Sequence, residues 1–246
     1  MYKVKIKYFH ANNEYRIFIH SILKIIQNLL WNIKRNFGNL DKKIIEDYFS
    51  QNDIKKLHIG CGKNLLIGWL NSDYFPKNNQ VLHLNATSKF PFEDNVFDYI
   101  FSEHMIEHIS YSNASFMLHE CYRILKKNGK IRISTPNIQF LIDLFDKDKS
   151  NLKNDYIKWS TNTFVKDAPY CNEIFVVNNF VRDWGHIFIY DEKSLKFTLE
   201  ESGFGCIELF DLNKSHENEF LNLENELRLP SGFLQFETIT LEAKKL

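Results

Sequence analysis

The residues whose types and spacing bear on chemistry lie between positions 57 and 108, with one more at 186. The run Leu57-His58-Ile59 ends in Gly60-Cys61-Gly62. Glycines at such a place let the backbone turn tightly and come close to a ligand. Asp73 stands eleven residues beyond Gly62, at the end of a second apolar run. In open α/β sheets ligands sit at the carboxyl ends of the strands, and a carboxylate at a strand tip can accept both hydroxyls of a ribose. A dinucleotide fingerprint needs a third glycine opening a helix, but position 65 is Leu. No Gly-Lys-Ser/Thr follows, so a P-loop is excluded as well. What survives is a site for a nucleoside with no pyrophosphate to cradle.

Three histidines are the candidates for proton transfer. His104 and His108 stand four apart and are predicted on one face of a short helix. His186 follows a long polar stretch. Imidazole titrates near neutrality, which suits a general base. Three histidines near one cleft could also hold a metal, but no suitably spaced Asp/Glu set accompanies them, and no metal is expected. His58 and His83 fall within strands and His119 within a helix, where packing explains them. Cys61 is small enough for the tight turn and is given no nucleophilic role. Cys61, Cys121, Cys171 and Cys206 are far apart and include no Cys-x-x-Cys, which argues against a zinc ribbon or redox motif and for reduced thiols in a cytoplasmic protein.

The elements that must position these residues follow from hydrophobic periodicity. From residue 54 short β-type runs alternate with helical ones, the pattern of an α/β fold with a mostly parallel sheet. Strands are predicted at Lys56–Ile59, Trp69–Asp73, Val81–Leu84, Phe97–Ser102, Lys130–Ser134, Cys206–Leu212 and Phe236–Ala243. Helices are predicted at His104–Ile109, Ala114–Lys127, Pro136–Asp146 and Asp191–Ser202. Before them, residues 14–37 read as an amphipathic helix and Asp41–Ser50 as a second, capped by Asp41. This gives an N-terminal helical extension over 1–52 and a main domain over 53–246. The extension is expected to cover the main domain, or to make a peripheral membrane contact or a homodimer. Residues 147–185 show no clean period and are read as an insertion beside the site, and 213–232 as a second polar connection.

Composition narrows the classes. The 246 residues are 44% hydrophobic, enough for a sizeable core, and 31 Lys and Arg balance 31 Asp and Glu. A neutral chain has no global field to recruit nucleic acid, and none is expected as a partner. The N-terminus lacks the features of a signal peptide, and polar residues interrupt the stretch 17–33, a poor transmembrane span.

The motifs together resemble class I S-adenosylmethionine-dependent methyltransferases, and a bacterial surface-polysaccharide-associated subfamily in particular. Leu57-His-Ile-Gly-Cys-Gly62 looks like the family's first motif. Gly68-Trp-Leu-Asn-Ser-Asp73 is similar to its second-strand segment, Phe90 to His108 to the stretch through strand four, and Cys121 to Ser134 to its helix, turn and fifth strand. Tyr190-Asp-Glu-Lys-Ser-Leu195 and Glu200-Glu-Ser-Gly-Phe204 resemble the helix before strand six. The resemblance implies a Rossmann-like, doubly wound, seven-stranded, mostly parallel sheet with strand seven antiparallel between five and six. It implies S-adenosylmethionine as cofactor and S-adenosylhomocysteine as product. Gly60, Cys61, Gly62, Asp73, Asn85, Ala86, Ser102 and Glu103 are the residues expected to hold it. Asn85 departs from the family's frequent Asp, which keeps a hydrogen bond but removes a charge.

The cofactor carries the difficult chemistry, so the protein must align an acceptor and, for a hydroxyl, remove its proton. His104, His108 and His186 are the catalytic candidates. Similar bacterial sequences point to O-methylation of a sugar or sugar-linked group in capsule or O-antigen biosynthesis, with a small-molecule or glycan acceptor. A phosphate or phosphoramidate oxygen on a nucleotide-linked precursor is the alternative acceptor. A non-catalytic methyltransferase-like partner is a second alternative, disfavoured by the intact glycine turn and Asp73. An NAD-dependent oxidoreductase is disfavoured by the missing third glycine.

Overall fold

The computed structural model describes Arg35 and residues 39–246, and it divides the chain into two compact units, residues 1–48 and 49–246. Apart from Arg35, the predicted helix over 14–37 lies outside the described residues, and so does the membrane or dimer contact expected of it. Helix α1, Leu40–Gln51, starts earlier than predicted. Asp41 therefore sits inside its first turn instead of capping it, and its carboxylate pairs with Arg35.

In the larger unit, β1 (Lys56–Ile59), β2 (Leu70–Asp73), β3 (Leu82–His83), β4 (Phe97–Glu103), β5 (Leu125–Pro136), β6 (Phe204–Phe210) and β7 (Thr238–Lys245) form one sheet. Its order is 3-2-1-4-5-7-6. The pairs among β1 to β5 are parallel, and β7 runs antiparallel between β5 and β6, as the resemblance implied. Leu57, Leu82, Phe97, Ile100 and Phe101 are fully buried, as expected for strands covered on both faces. Ile59 lies opposite both Ser72 and Ser102, and Glu103 opposite Ser134. The tips of β1, β2 and β4 are therefore level, beside Ser134 of β5, which brings Gly60, Asp73 and His104 to one edge.

Helix α2, Tyr111–Ile124, is capped by Ser110 and ends before the predicted Asn128-Gly129 stop. Leu125 is already extended and pairs with Phe97, so the strand captures the chain first. β5 outruns its predicted length because β7 pairs with it from Lys130 to Pro136. The predicted helix His104–Ile109 is reduced to a single 3-10 turn, Ile106–His108. The His104 amide still donates to Ser134 on β5, at 2.8 Å, and His104 then turns the chain at φ 45°. His104 and His108 therefore do not share a helix face.

The stretch 147–185 is largely helical. Beyond α3 (Ile138–Asp143), α4 spans Asn151–Phe164 from a Ser150 cap and α5 spans Glu173–Arg182 from an Asn172 cap. Phe140, Tyr156, Val176, Phe180 and Phe233 from these helices and the short α7 (Phe233–Glu237) form a core cluster of their own. Helix α6, Glu192–Glu201, is held by a capping box at Asp191, close to its predicted span.

Arg132 on β5 is fully buried and bound on both sides. Its Nε donates to Glu224 at 2.7 Å and its Nη1 to Glu242 at 2.5 Å. Its remaining donors reach the carbonyls of Lys214 and Asp211. Removing one member of such a group leaves charges buried and unpaired. Arg132→Met should destabilise the protein by about 3–5 kcal/mol in urea unfolding; a loss under about 1 kcal/mol would show that the carboxylates find other partners.

His58, in β1, is buried against Phe101 and bonds Asn71 at 3.1 Å. Burial lowers its pKa from 6.5 to about 4, opposed by the Asn71 bond. The unfolded chain binds this proton at a higher pH than the native state does. Stability is full above pH 6.5 and falls as pH drops toward 4, by up to about 3 kcal/mol. Urea midpoints between pH 7 and 5 should decline less in His58→Gln; identical slopes would remove His58 as the source.

Candidate active site

At the level strand tips lies a cavity of about 370 Å³, lined by Gly60, Tyr74, Phe75, Asn85, Ala86 and Met105 among others. Gly60 has φ +73°, and a Cβ there would fall 2.4 Å from Met105 Cγ. The glycine is thus required twice, by conformation and by the close approach of a cavity wall. Gly62 has φ +54° and nothing within 4 Å of a would-be Cβ. Asp73 ties the turn together: Oδ2 accepts from the Gly62 amide at 2.9 Å and Oδ1 from the Phe75 amide at 2.7 Å. Each oxygen keeps a further lone pair, enough for two ribose hydroxyls.

Asn85 braces its own turn, accepting from the Thr87 amide and hydroxyl at 3.0 and 2.8 Å. Cys61 is buried, and burial and Asp73 push its thiol up to about 12, which suits a packing residue. The glycine cradle, the strand-tip acid and the neighbouring Tyr74 and Phe75 rings fit S-adenosylmethionine.

A second cavity, of about 260 Å³, adjoins the first, and His108 lines both. Its aromatic walls are Trp159 and Phe164 of α4, Phe180 of α5, and Trp184; Arg228 and Glu237 also line it. Here the three candidate histidines come together around a residue the sequence reading left out. Glu107 is fully buried, with Oε1 at 3.5 Å from His104 Nδ1 and 3.8 Å from His108 Nε2. Its Oε2 accepts from Thr135 at 3.1 Å, while Oε1 has no hydrogen bond among the described residues. His186 donates Nδ1–H to the Phe180 carbonyl at 2.7 Å, and His108 does the same to Gly185 at 3.2 Å. A carbonyl can only accept, so both rings carry their proton on Nδ1 and leave Nε2 bare. His104 Nε2 instead lies 2.9 Å from the Thr238 hydroxyl.

Burial governs the electrostatics. It raises Glu107 to about 8 and lowers His186 to about 4. His104 is pushed well below the usual range, first by burial and then by Arg228. His104 and His186 are therefore neutral at pH 7.

Of the residues expected to hold the cofactor, Gly60, Asn85 and Ala86 line the first cavity. Gly62 and Asp73 form its adjoining turn, and Cys61 packs beneath. Ser102 and Glu103 do not line it. Ser102 is buried in β4, and Glu103 accepts from Asn64 at 3.3 Å and from the Asn225 amide at 3.2 Å, fastening the 213–232 connection to the sheet. Among the aromatics of 147–185, Trp159, Phe164, Phe180 and Trp184 line the second cavity. Tyr156 is buried with its hydroxyl on Glu237 at 2.6 Å, and Tyr170 is exposed. Sequence reasoning missed Glu107, Phe164, Phe180 and Arg228. The repeated Glu-His pair, at 103–104 and 107–108, was the available signal for Glu107.

Asp73→Ala should weaken S-adenosylhomocysteine binding by about 1.5–3 kcal/mol through lost charge-assisted bonds. Gly60→Ala should weaken it more than about ten-fold because Met105 must move, whereas Gly62→Ala meets only the left-handed strain of about 1–2 kcal/mol. Calorimetry that ranks the two glycine variants in the opposite order would refute the cradle.

A model of the methyltransferase domain matches residues 57–133, from β1 into β5. Nothing among curated proteins matches. Among solved structures the chain is similar to a SAM-dependent methyltransferase from Archaeoglobus fulgidus at 17% identity, covering 87% of this chain and 99% of that one with a TM-score of 0.45. It is similar to one from Mesorhizobium loti at 10% identity, 78% and 91% coverage and a TM-score of 0.49. It is also similar to phosphoethanolamine N-methyltransferase 2 of Haemonchus contortus, at 16% identity, 84% and 52% coverage and a TM-score of 0.41. The domain match falls on the same glycine turn and strand-tip acid that form the nucleoside site: residues 57–133, which carry that site, match a methyltransferase domain.

Proposed function

We propose that the enzyme methylates a hydroxyl oxygen of a sugar, or of a group attached to one, in surface-polysaccharide biosynthesis. The observation that carries this reading is the second cavity, walled by Trp159, Phe164 and Trp184 and joined to the cofactor cavity at His108. Flat aromatic faces pack against the C–H faces of a sugar ring while its hydroxyls reach the polar side. A few convergent polar groups in an apolar wall are the usual make-up of a small-molecule site.

S-adenosylmethionine, when bound, supplies a methyl group that is already electrophilic. The chain's own residues have two tasks. Asp73 and the Gly60 cradle hold the nucleoside end, and the aromatic wall orients the acceptor toward the shared boundary at His108. The bare Nε2 atoms of His108 and His186, beside Glu107, offer lone pairs to the hydroxyl proton as the oxygen attacks.

A second reading has its own support. Arg228 lines the cavity, with Nη2 3.8 Å from Glu103. A guanidinium there favours an acceptor bearing a negative charge, such as a phosphate or phosphoramidate oxygen on a nucleotide-linked precursor.

Purified enzyme with S-adenosylmethionine should add one methyl mass to a nucleotide-activated sugar or capsule fragment. His186→Ala should lower that turnover about 10²–10⁴-fold with S-adenosylhomocysteine affinity unchanged. Arg228→Met should raise KM for an anionic acceptor and leave a neutral one unaffected. Methyl transfer to amines alone, with every sugar and phosphate inert, would refute both readings.

A further inference from the structure

We infer that Glu107, His108 and His186 form a binding site for one divalent transition-metal ion of the zinc class. One ligand atom from each residue lies within 4.8 Å of the other two. What points to an ion is the mismatch of donors and acceptors. His108 and His186 spend their Nδ1–H on the carbonyls of Gly185 and Phe180, so each keeps a bare Nε2, and that of His108 lies 3.8 Å from Glu107 Oε1. Glu107 Oε1 is buried and without a hydrogen bond among the described residues. The side chain nearest this oxygen with a nitrogen that could donate is His104, whose Nδ1 is 3.5 Å away and could serve the carboxylate alone. A proton on Glu107 could serve one imidazole and would leave the other unsatisfied. A cation satisfies all three.

The surroundings suit that occupant. Imidazole Nδ1–H groups held by backbone carbonyls fix the tautomer and aim of metal-ligating histidines, and the Thr135 hydroxyl on Glu107 Oε2 is the matching support for the carboxylate. Two histidines and one carboxylate leave coordination positions open, the ligand count of catalytic zinc sites. Ligands about 2.0–2.2 Å from zinc stand about 3–3.5 Å apart, so the widest pair must close by up to about 1.3–1.8 Å on binding. His108 and His186 also line the second cavity, so the open position faces the place proposed for the acceptor. An acceptor oxygen bound there would be held and made more acidic; with both Nε2 atoms engaged as ligands, its proton would leave to water and not to the histidines. That role rests on the proposed function; the ion's binding does not.

The test uses the intact chain, stripped with a chelator and titrated with zinc chloride by calorimetry, and with cobalt chloride by visible absorption. We expect one ion per chain and a cobalt d–d spectrum of low-symmetry coordination. Glu107→Gln and His186→Ala should each weaken zinc at least ten-fold while binding S-adenosylhomocysteine like the parent, which shows that they are folded. His119→Ala, on the exposed face of α2, should bind zinc as the parent does. No stoichiometric zinc binding, or equal affinity in Glu107→Gln and His186→Ala, would overturn the site. Zinc binding with turnover unchanged in the chelator-stripped enzyme would leave the site standing and overturn its role in the reaction.

Discussion

A guanidinium with no access to water, met by carboxylates from two distant parts of the chain, is the constraint on which the second half of this molecule rests. Arg132 belongs to the sheet, Glu242 to the antiparallel strand beside it, and Glu224 to the polar connection between β6 and β7. Glu224 also accepts from Ser134 at 2.6 Å and from the Asn213 amide at 2.9 Å. The connection is thereby stitched to the sheet over its length, although its sequence is polar and has no regular period. One residue further on, the Asn225 amide is held by Glu103 at the tip of β4. Arg228, just beyond, is carried to the mouth of the second cavity. Burying this charge has a desolvation cost that an apolar trio would avoid; what the arrangement supplies is a defined path for a segment with little hydrophobic surface to fix it.

The cofactor half was legible in the sequence for a physical reason. Strands buried on both faces read as short apolar runs, and the turns that follow them need glycine or a strand-tip acid, so Leu57–Gly62 and Leu70–Asp73 show their structure in their residue types. The half that walls the second cavity was not legible in this way. Helices α4 and α5 bury Ser160, Thr161 and Asn179 along with their aromatics, which blurs the helical period that would have revealed them. Glu107 was missed because in the helix expected through His104 it would share the histidines' face as an ordinary solvated carboxylate, and nothing in the sequence shows that it is buried. The positive φ of His104 and the 3-10 turn place it between the two histidines. Arg228 could not be found from the sequence because its position depends on the long-range pairing at Arg132.

The two cavities differ in how they are built. The first is bounded by backbone turns at the ends of strands, where conformation is dictated by the sheet and by glycine. The second is bounded by side chains from helices and from a connection, each with its own caps and its own buried contacts. His108 belongs to both, so its orientation, set by the Gly185 carbonyl, couples the geometry of one to that of the other.

The packing of the cluster around Phe140, Tyr156, Val176, Phe180 and Phe233 has a consequence for descent. Among the described residues it draws nothing from β1 to β4. Exchanges there alter the walls of the second cavity without disturbing the nucleoside cradle, so the two can change independently between lineages. Divergence between such lineages is then confined to the carboxyl-terminal part of the chain.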